Sequence, residues 1–309
     1  MQSTLLMRIA NTVMANYDNT EKVGLFDGKM GLCLFFYNCS RYTGCEYYAK
    51  TASVLLDEVF MSLNPSMSPS VTDGVAGIGC GIVSLLHDGF VEPEGEDILG
   101  HVDAVLLRDM PDKFLIEDNY PAPLFSPGIY LSYRLRFYPE GLDVGCADDL
   151  ISLVKDNLEK CHDSNTALHL SFINSIVFVC NMLCATDSSF TAKTGEIRHL
   201  CDLGMEQSVS NKRYRYCDLV TFEKLNPDNR YGIVLNEKKR VEGNINALDL
   251  WYDYGWWNIL YDMSLYKTDT DKYINYVNKK MMDCFYDISN VNQKLAAAGM
   301  YFIKNRLPL

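Results

Sequence analysis

Asp27-Gly28-Lys29-Met30-Gly31-Leu32 and Asp73-Gly74-Val75-Ala76-Gly77-Ile78 are two forms of one phrase: an aspartate, a Gly-x-x-Gly, then an apolar run. Looser versions lie on the same frame at Phe125-Ser126-Pro127-Gly128-Ile129, Leu170-Ser171-Phe172-Ile173-Asn174, Gly255-Trp256-Trp257-Asn258-Ile259 and Ala296-Ala297-Ala298-Gly299-Met300. Frame starts at 28, 74, 125, 170, 255 and 296 are separated, by subtraction, by 46, 51, 45, 85 and 41 residues. Two helices of about 12 to 15 residues with their turns occupy about 45 residues, so each regular gap is one helical hairpin.

Working outward, the runs at 74–87, 126–137, 167–184, 253–265 and 292–304 are apolar nearly all round, as is Met30 to Tyr37. Such helices must be buried on every side. Between them, 45–62, 97–109, 147–160, 195–206 and 270–287 carry charge along one face, and 2–16 places Leu5, Leu6, Ile9, Ala10 and Val13 at three-four spacing. Six inner helices alternating with six outer ones predict an all-α, single-domain (α/α)6 toroid over 1–309, the first helix packing beside the last inner helix.

The long fourth gap requires something extra. Arg230-Tyr231-Gly232-Ile233-Val234-Leu235-Asn236-Glu237-Lys238-Lys239-Arg240-Val241 reads as two short strands about a polar turn, so a small β-hairpin insertion is expected near 207–246.

At 309 residues, 48% hydrophobic and 22% charged, the chain can bury a large core. Its net charge of −12 and lack of a basic stripe argue against nucleic acid and favour a basic peptide. No apolar run reaches the roughly 18 residues of a membrane span, and Met1-Gln2-Ser3-Thr4-Leu5-Leu6-Met7-Arg8 lacks the order of a signal peptide. The expectation is a cytoplasmic protein with no membrane partner. Eleven cysteines without disulfide spacing, Cys33, Cys80, Cys180 and Cys184 among them, fit a reducing compartment.

Asp27 and Asp73 stand where helix N-caps belong, and the inner-helix N-termini are expected to converge on one mouth with positive dipole ends.

These phrases carry a resemblance. Gly24-Leu25-Phe26-Asp27-Gly28-Lys29-Met30-Gly31-Leu32, Thr72-Asp73-Gly74-Val75-Ala76-Gly77-Ile78-Gly79, Ser126-Pro127-Gly128-Ile129-Tyr130-Leu131-Ser132-Tyr133-Arg134-Leu135 and Tyr252-Asp253-Tyr254-Gly255 resemble the lanthionine synthetase C-like proteins, the lanthipeptide cyclases. The resemblance implies an α,α-toroid that adds a peptide cysteine thiolate to a dehydroalanine or dehydrobutyrine. It also implies a zinc ion held by the cysteine of a Trp-Cys-Tyr-Gly phrase and by the pair of a Cys-His-Gly phrase, which lowers the pKa of the substrate thiol.

This chain departs from that pattern. Aligned on Gly255, Asp253 replaces the first ligand cysteine; aligned on Ala296, Lys294 and Leu295 replace the Cys-His pair. No metal site and no cofactor are therefore expected. Six hairpins instead of the seven usual in full-length cyclases mark a shortened relative. His169 aligns with the proton-transferring histidine of the family's His-Gly phrase, while Cys161-His162 falls at an outer-helix end, off the frame.

The expectation is a degenerate, zinc-free relative that binds a peptide or a peptide-maturation enzyme in its cavity. Asp27, Asp73, Tyr254 and Trp256 would line the mouth, and His169 and Asp253 would be the acid-base candidates. Two alternatives stay open. One is an active thioether-forming cyclase; the other is a carbohydrate-active hydrolase in which Asp27, Asp73 and Asp253 work beside Tyr252, Tyr254, Trp256 and Trp257.

Overall fold

The computed structural model describes residues 3–26, 28–92, 98–107, 124–143, 145–227, 231–242 and 291–304, and every regular element among them is helical. The helices are α1 (Ser3–Met14), α2 (Lys29–Thr43), α3 (Glu46–Ser62), α4 (Val75–His87), α5 (Ile98–Leu107), α6 (Ser126–Phe137), α7 (Gly145–Asp163), α8 (Leu170–Thr186), α9 (Phe190–Ser210), α10 (Tyr216–Leu225), α11 (Gly232–Glu242) and α12 (Val291–Lys304). They form two compact units. One comprises 1–68, 72–91 and 246–309, the other 69–71 and 92–245.

In the first unit, α2 is the centre. Met30 to Cys39 are buried without interruption, as all-round apolarity requires. α3, α4 and α12 pack against it, and α1 lies against α12. The small residues of the flanking helices are the sockets for its large ones. A Cβ on Gly81 of α4 would fall 2.5 Å from the Met30 Cε, and one on Gly299 of α12 would fall 2.3 Å from the Phe35 ring.

The approach is closer still in the loop before α2. Phe26 N–H donates to the Thr72 carbonyl (2.7 Å). Opposite it, a Cβ on Gly24 would stand 2.2 Å from the Asp73 Cα and 2.7 Å from the Thr72 carbonyl oxygen. Two backbones are in contact there, and only glycine fits.

The second unit repeats the two-layer pattern. α6, α8 and α10 pack side by side and are buried along nearly their whole length. α7 buries Ala147, Leu150, Ile151, Val154, Leu158 and Cys161, and α9 buries Phe190, Thr194, Ile197, Cys201, Met205 and Ser208. Those three-four stripes are the one-faced burial of an outer helix. Within this unit, backbone N–H groups donate to serines of the inner helices. Val71 N–H donates to Ser126 Oγ (2.9 Å), and Phe125 N–H donates to Ser175 Oγ (2.9 Å).

The β-hairpin expected at 207–246 is replaced by two helices. α10 starts 46 residues after α8 by subtraction, the spacing of the other hairpins, so the long gap contains a further inner helix and its outer partner α11. The Ile233-Val234-Leu235 run has strand propensity, but tertiary contacts recur at helical intervals. Tyr231 OH donates to Asp202 Oδ1 on α9 (2.6 Å), Val234 is buried, and Lys238 pairs with Glu223 on α10 (2.5 Å). Glu237 collects Lys212 (2.7 Å), Tyr214 and Arg240 (2.5 Å), with Arg240 first in holding its carboxyl down to about 2. Packing overrides propensity here.

Gly24→Ala is expected to destabilise by about 3 kcal/mol, because backbone must move, and Gly81→Ala by about 1 kcal/mol, because Met30 can change rotamer. Urea unfolding of the two variants checks this; a smaller loss for Gly24→Ala would contradict the backbone contact.

Candidate functional site

The N-terminal ends of the inner helices begin differently from the sequence expectation. The N-caps of α2 and α4 are Gly28 and Gly74, neither with a side-chain capping bond. The aspartate cap expected at 73 is thus displaced by one position. Asp73 precedes the cap, is exposed, and its Oδ1 meets only the neighbouring Thr72 hydroxyl at 3.5 Å. The first-turn donors are met by the backbone of the preceding loop instead: Met30 N–H reaches the Val23 carbonyl (3.2 Å), and Val75 N–H reaches the Ser68 carbonyl (2.8 Å). Asp73 is therefore left with an uncommitted carboxylate at a helix start. Asp27, Asp253, Tyr254 and Trp256 lie outside the described residues, as do Tyr252 and Trp257.

His169 has a defined place, as the N-cap of α8. Its Nδ1 accepts the Ser171 N–H (3.2 Å), and Ser171 Oγ lies 2.8 Å from the same atom. Next to it, the chain before α10 is bonded to α8, with Leu170 N–H donating to the Arg213 carbonyl (2.9 Å). Asp218, on the first turn of α10, is buried. Its Oδ2 accepts the Arg215 N–H (2.7 Å), and Oδ1 accepts Arg215 NH2 (3.0 Å). The Cys217 Sγ is 3.7 Å from that Oδ1.

Asp218 Oδ2 approaches His169 Nδ1 to 3.9 Å. That is a charge contact without a hydrogen bond, since Nδ1 is an acceptor towards Ser171 and Asp218 is held by Arg215. Burial lowers the His169 pKa below its ordinary value; Asp218 opposes this, while Arg215 and Arg213 reinforce it. The imidazole is neutral at pH 7, and the network assigns its proton to Nε2.

One turn further along α8, Asn174 Nδ2 donates to the Asp218 carbonyl (2.9 Å), while its Oδ1 is buried with no hydrogen-bond partner among the described residues. A buried orphan acceptor costs about 1–3 kcal/mol, so it marks a place for a donor from elsewhere. The sequence reading found His169 from the repeat frame but missed Asn174, Arg215 and Asp218. The Arg215-x-x-Asp218 spacing, half of a capping box, was the available signal.

The positions aligned with metal ligands hold no such group where they are described. Leu295, in α12, is 1% exposed. Among the described residues no three His, Cys, Asp or Glu side chains converge as a metal site would need. Cys161-His162 ends α7, with Cys161 buried and its thiol pKa raised by that burial. Cys33, Cys80 and Cys180 are also buried; burial pushes Cys180 up to about 12. Such thiols stay protonated and inert. No described helix is long and apolar enough to cross a membrane. No family model, curated protein or solved structure matches the chain.

His169 is depressed in the folded state, so the unfolded chain takes up the proton first as pH falls. The stability it contributes is complete above about 6.5 and declines as pH drops towards the folded value. His169→Asn keeps a capping acceptor and removes this titration. Thermal unfolding from about pH 8 to 5 is expected to show a steeper acid loss in the wild type than in His169→Asn; parallel curves would contradict it.

Proposed function

We propose that the chain is a zinc-free, lanthionine synthetase C-like protein that binds a peptide, or the exposed segment of a peptide-maturation partner, at the N-terminal ends of α8 and α10. The observation that carries this is the buried, unpartnered Oδ1 of Asn174 beside His169 and Asp218. An extended peptide has backbone N–H groups to give, and an orphan carbonyl oxygen at the start of an inner helix is a fitting acceptor.

Three further features support the reading. The net charge of −12 attracts a basic peptide. The buried Leu295 stands where the resemblance calls for a histidine ligand, which favours binding without zinc chemistry. The α10–α11 hairpin adds a repeat to those counted from the sequence, so the proposed architecture is a closed (α/α) ring of seven hairpins, the number usual in full-length cyclases, with no shortening.

The neutral His169, whose Nε2 has no partner among the described residues, favours a second reading in which the bound peptide undergoes a proton-transfer step.

Fluorescence anisotropy with a labelled basic peptide containing cysteine and serine tests the first reading, together with elemental analysis of protein purified without chelators. Expected are saturable binding weakened by salt, a loss of about tenfold in Asn174→Leu, and negligible zinc. Binding unchanged in Asn174→Leu would remove the assigned acceptor, and zinc near one equivalent per chain would restore the cyclase chemistry.

A further inference from the structure

The other ends of α8 and α10, together with the start of α9, border an open cavity of about 540 Å³. Ala185, Leu225 and Pro227 supply apolar wall, and Asn181, Cys184 and Arg198 supply polar groups. That volume and that mixture of an apolar wall with a few convergent polar atoms are usual for small-molecule sites.

Arg198 is held in place through an intermediary. Asn181 Nδ2 donates to the Leu225 carbonyl at the end of α10 (3.0 Å), which orients the amide so that its Oδ1 accepts from Arg198 NH2 (2.6 Å). The same NH2 lies 4.0 Å from the Cys184 Sγ. Among the described residues nothing accepts from Arg198 Nε or NH1, so a fixed, half-buried guanidinium keeps donors to spare.

Cys184 is oriented as well. Its Sγ is 3.3 Å from Thr194 Oγ1, whose own proton goes to the Phe190 carbonyl (2.9 Å). The thiol proton therefore points at Thr194, and the sulfur lone pairs are left towards the guanidinium. Unlike Cys33, Cys80, Cys180 and Cys201, Cys184 is only partly buried.

We propose that this cavity binds a small organic carboxylate, received by the preoriented Arg198 guanidinium beside the Cys184 thiol. A guanidinium matches a carboxylate in shape and charge. The C-terminal ends of α8 and α10 bring partial negative charge to the same place, which weighs against any anion and twice as heavily against a phosphate dianion as against a carboxylate monoanion. The apolar wall accommodates the body of an organic acid. This site is separate from the proposed peptide site and does not depend on it.

The test uses the full chain and two alkylating probes, anionic iodoacetate and neutral iodoacetamide, with rates at each cysteine read by peptide mass mapping. Exposed Cys45 is the internal reference. Expected is an iodoacetate-to-iodoacetamide rate ratio about tenfold higher at Cys184 than at Cys45, the scale of one charge-assisted hydrogen bond in a half-buried site. Millimolar benzoate is expected to slow Cys184 and not Cys45. Both effects should vanish in Arg198→Gln, with Arg198→Lys intermediate because it keeps the charge and loses the planar fork. Equal ratios at Cys184 and Cys45 in the wild type overturn the proposal, whether or not the variants fold. So does an anion preference that survives Arg198→Gln, or an absence of protection by benzoate.

Discussion

A helical stretch with no polar side cannot face water, and Met30 to Cys39 of α2 is such a stretch. From Met30 to Cys39 each residue is buried, and the rest of its unit is arranged to make that possible. α3, α4 and α12 cover it, and the two inner neighbours do so by presenting glycine where α2 presents Met30 and Phe35. Burying a large side chain contributes about 1.5–3 kcal/mol, and close packing adds dispersion that a looser fit would lose. The apolar run and the small residues of its neighbours are thus one constraint expressed in three places. α8 imposes the same demand on the second unit, answered there by α6, α9 and α10.

Packing inner helices this tightly changes how their first turns are satisfied. A short polar side chain at the N-cap is the usual solution for orphan N–H groups. In α2 and α4 the preceding loop folds back and offers carbonyls instead, and at the α2 cap, Gly28, no side chain fits because a Cβ would stand 2.3 Å from the Gly24 nitrogen. The consequence is chemical: Asp73, relieved of capping, stays exposed. α8 and α10 take another course, with a histidine capping one and a buried aspartate holding the start of the other. The polar groups that could meet a ligand are those left over from capping.

The layered helices were legible because burial writes itself into periodicity. α4, α6 and α12 fall within a residue of their expected bounds, and the outer stripes of α7 and α9 follow the three-four rule. α10 and α11 were not legible. Tyr216-Cys217-Asp218-Leu219-Val220-Thr221-Phe222-Glu223-Lys224-Leu225 lacks the glycine frame, and its Asp218 and Thr221 look like surface although both are buried. In α11 the run of β-branched residues was read locally, while Asp202, Lys212 and Glu223, distant in sequence, decide the outcome. The site divided in the same way. His169 stood on the repeat frame, but Asp218 is 49 residues away by subtraction, and only the pairing of α8 with α10 brings them together. Arg198 sits on an outer helix, where a charge ordinarily means solvent.

The two ends of α8 and α10 differ for a physical reason. At the N-terminal ends the unmet groups are N–H donors, and a neighbouring carbonyl, a buried carboxylate and an imidazole satisfy them. At the C-terminal ends the unmet groups are carbonyls, which call for donors and positive charge. Asn226 Nδ2 donates to the Phe222 carbonyl (2.9 Å) and Asn181 serves Leu225 (3.0 Å). Neither amide brings charge; the cation beside these ends is Arg198 of α9, which donates to Asn181 Oδ1 rather than to a helix-end carbonyl. Its guanidinium has donors beyond that bond and lines the cavity between the two ends. The polarity shared by α8 and α10 thus separates two settings in this unit, one where helix N–H groups are met by buried acceptors and one where helix-end carbonyls and a guanidinium lie together.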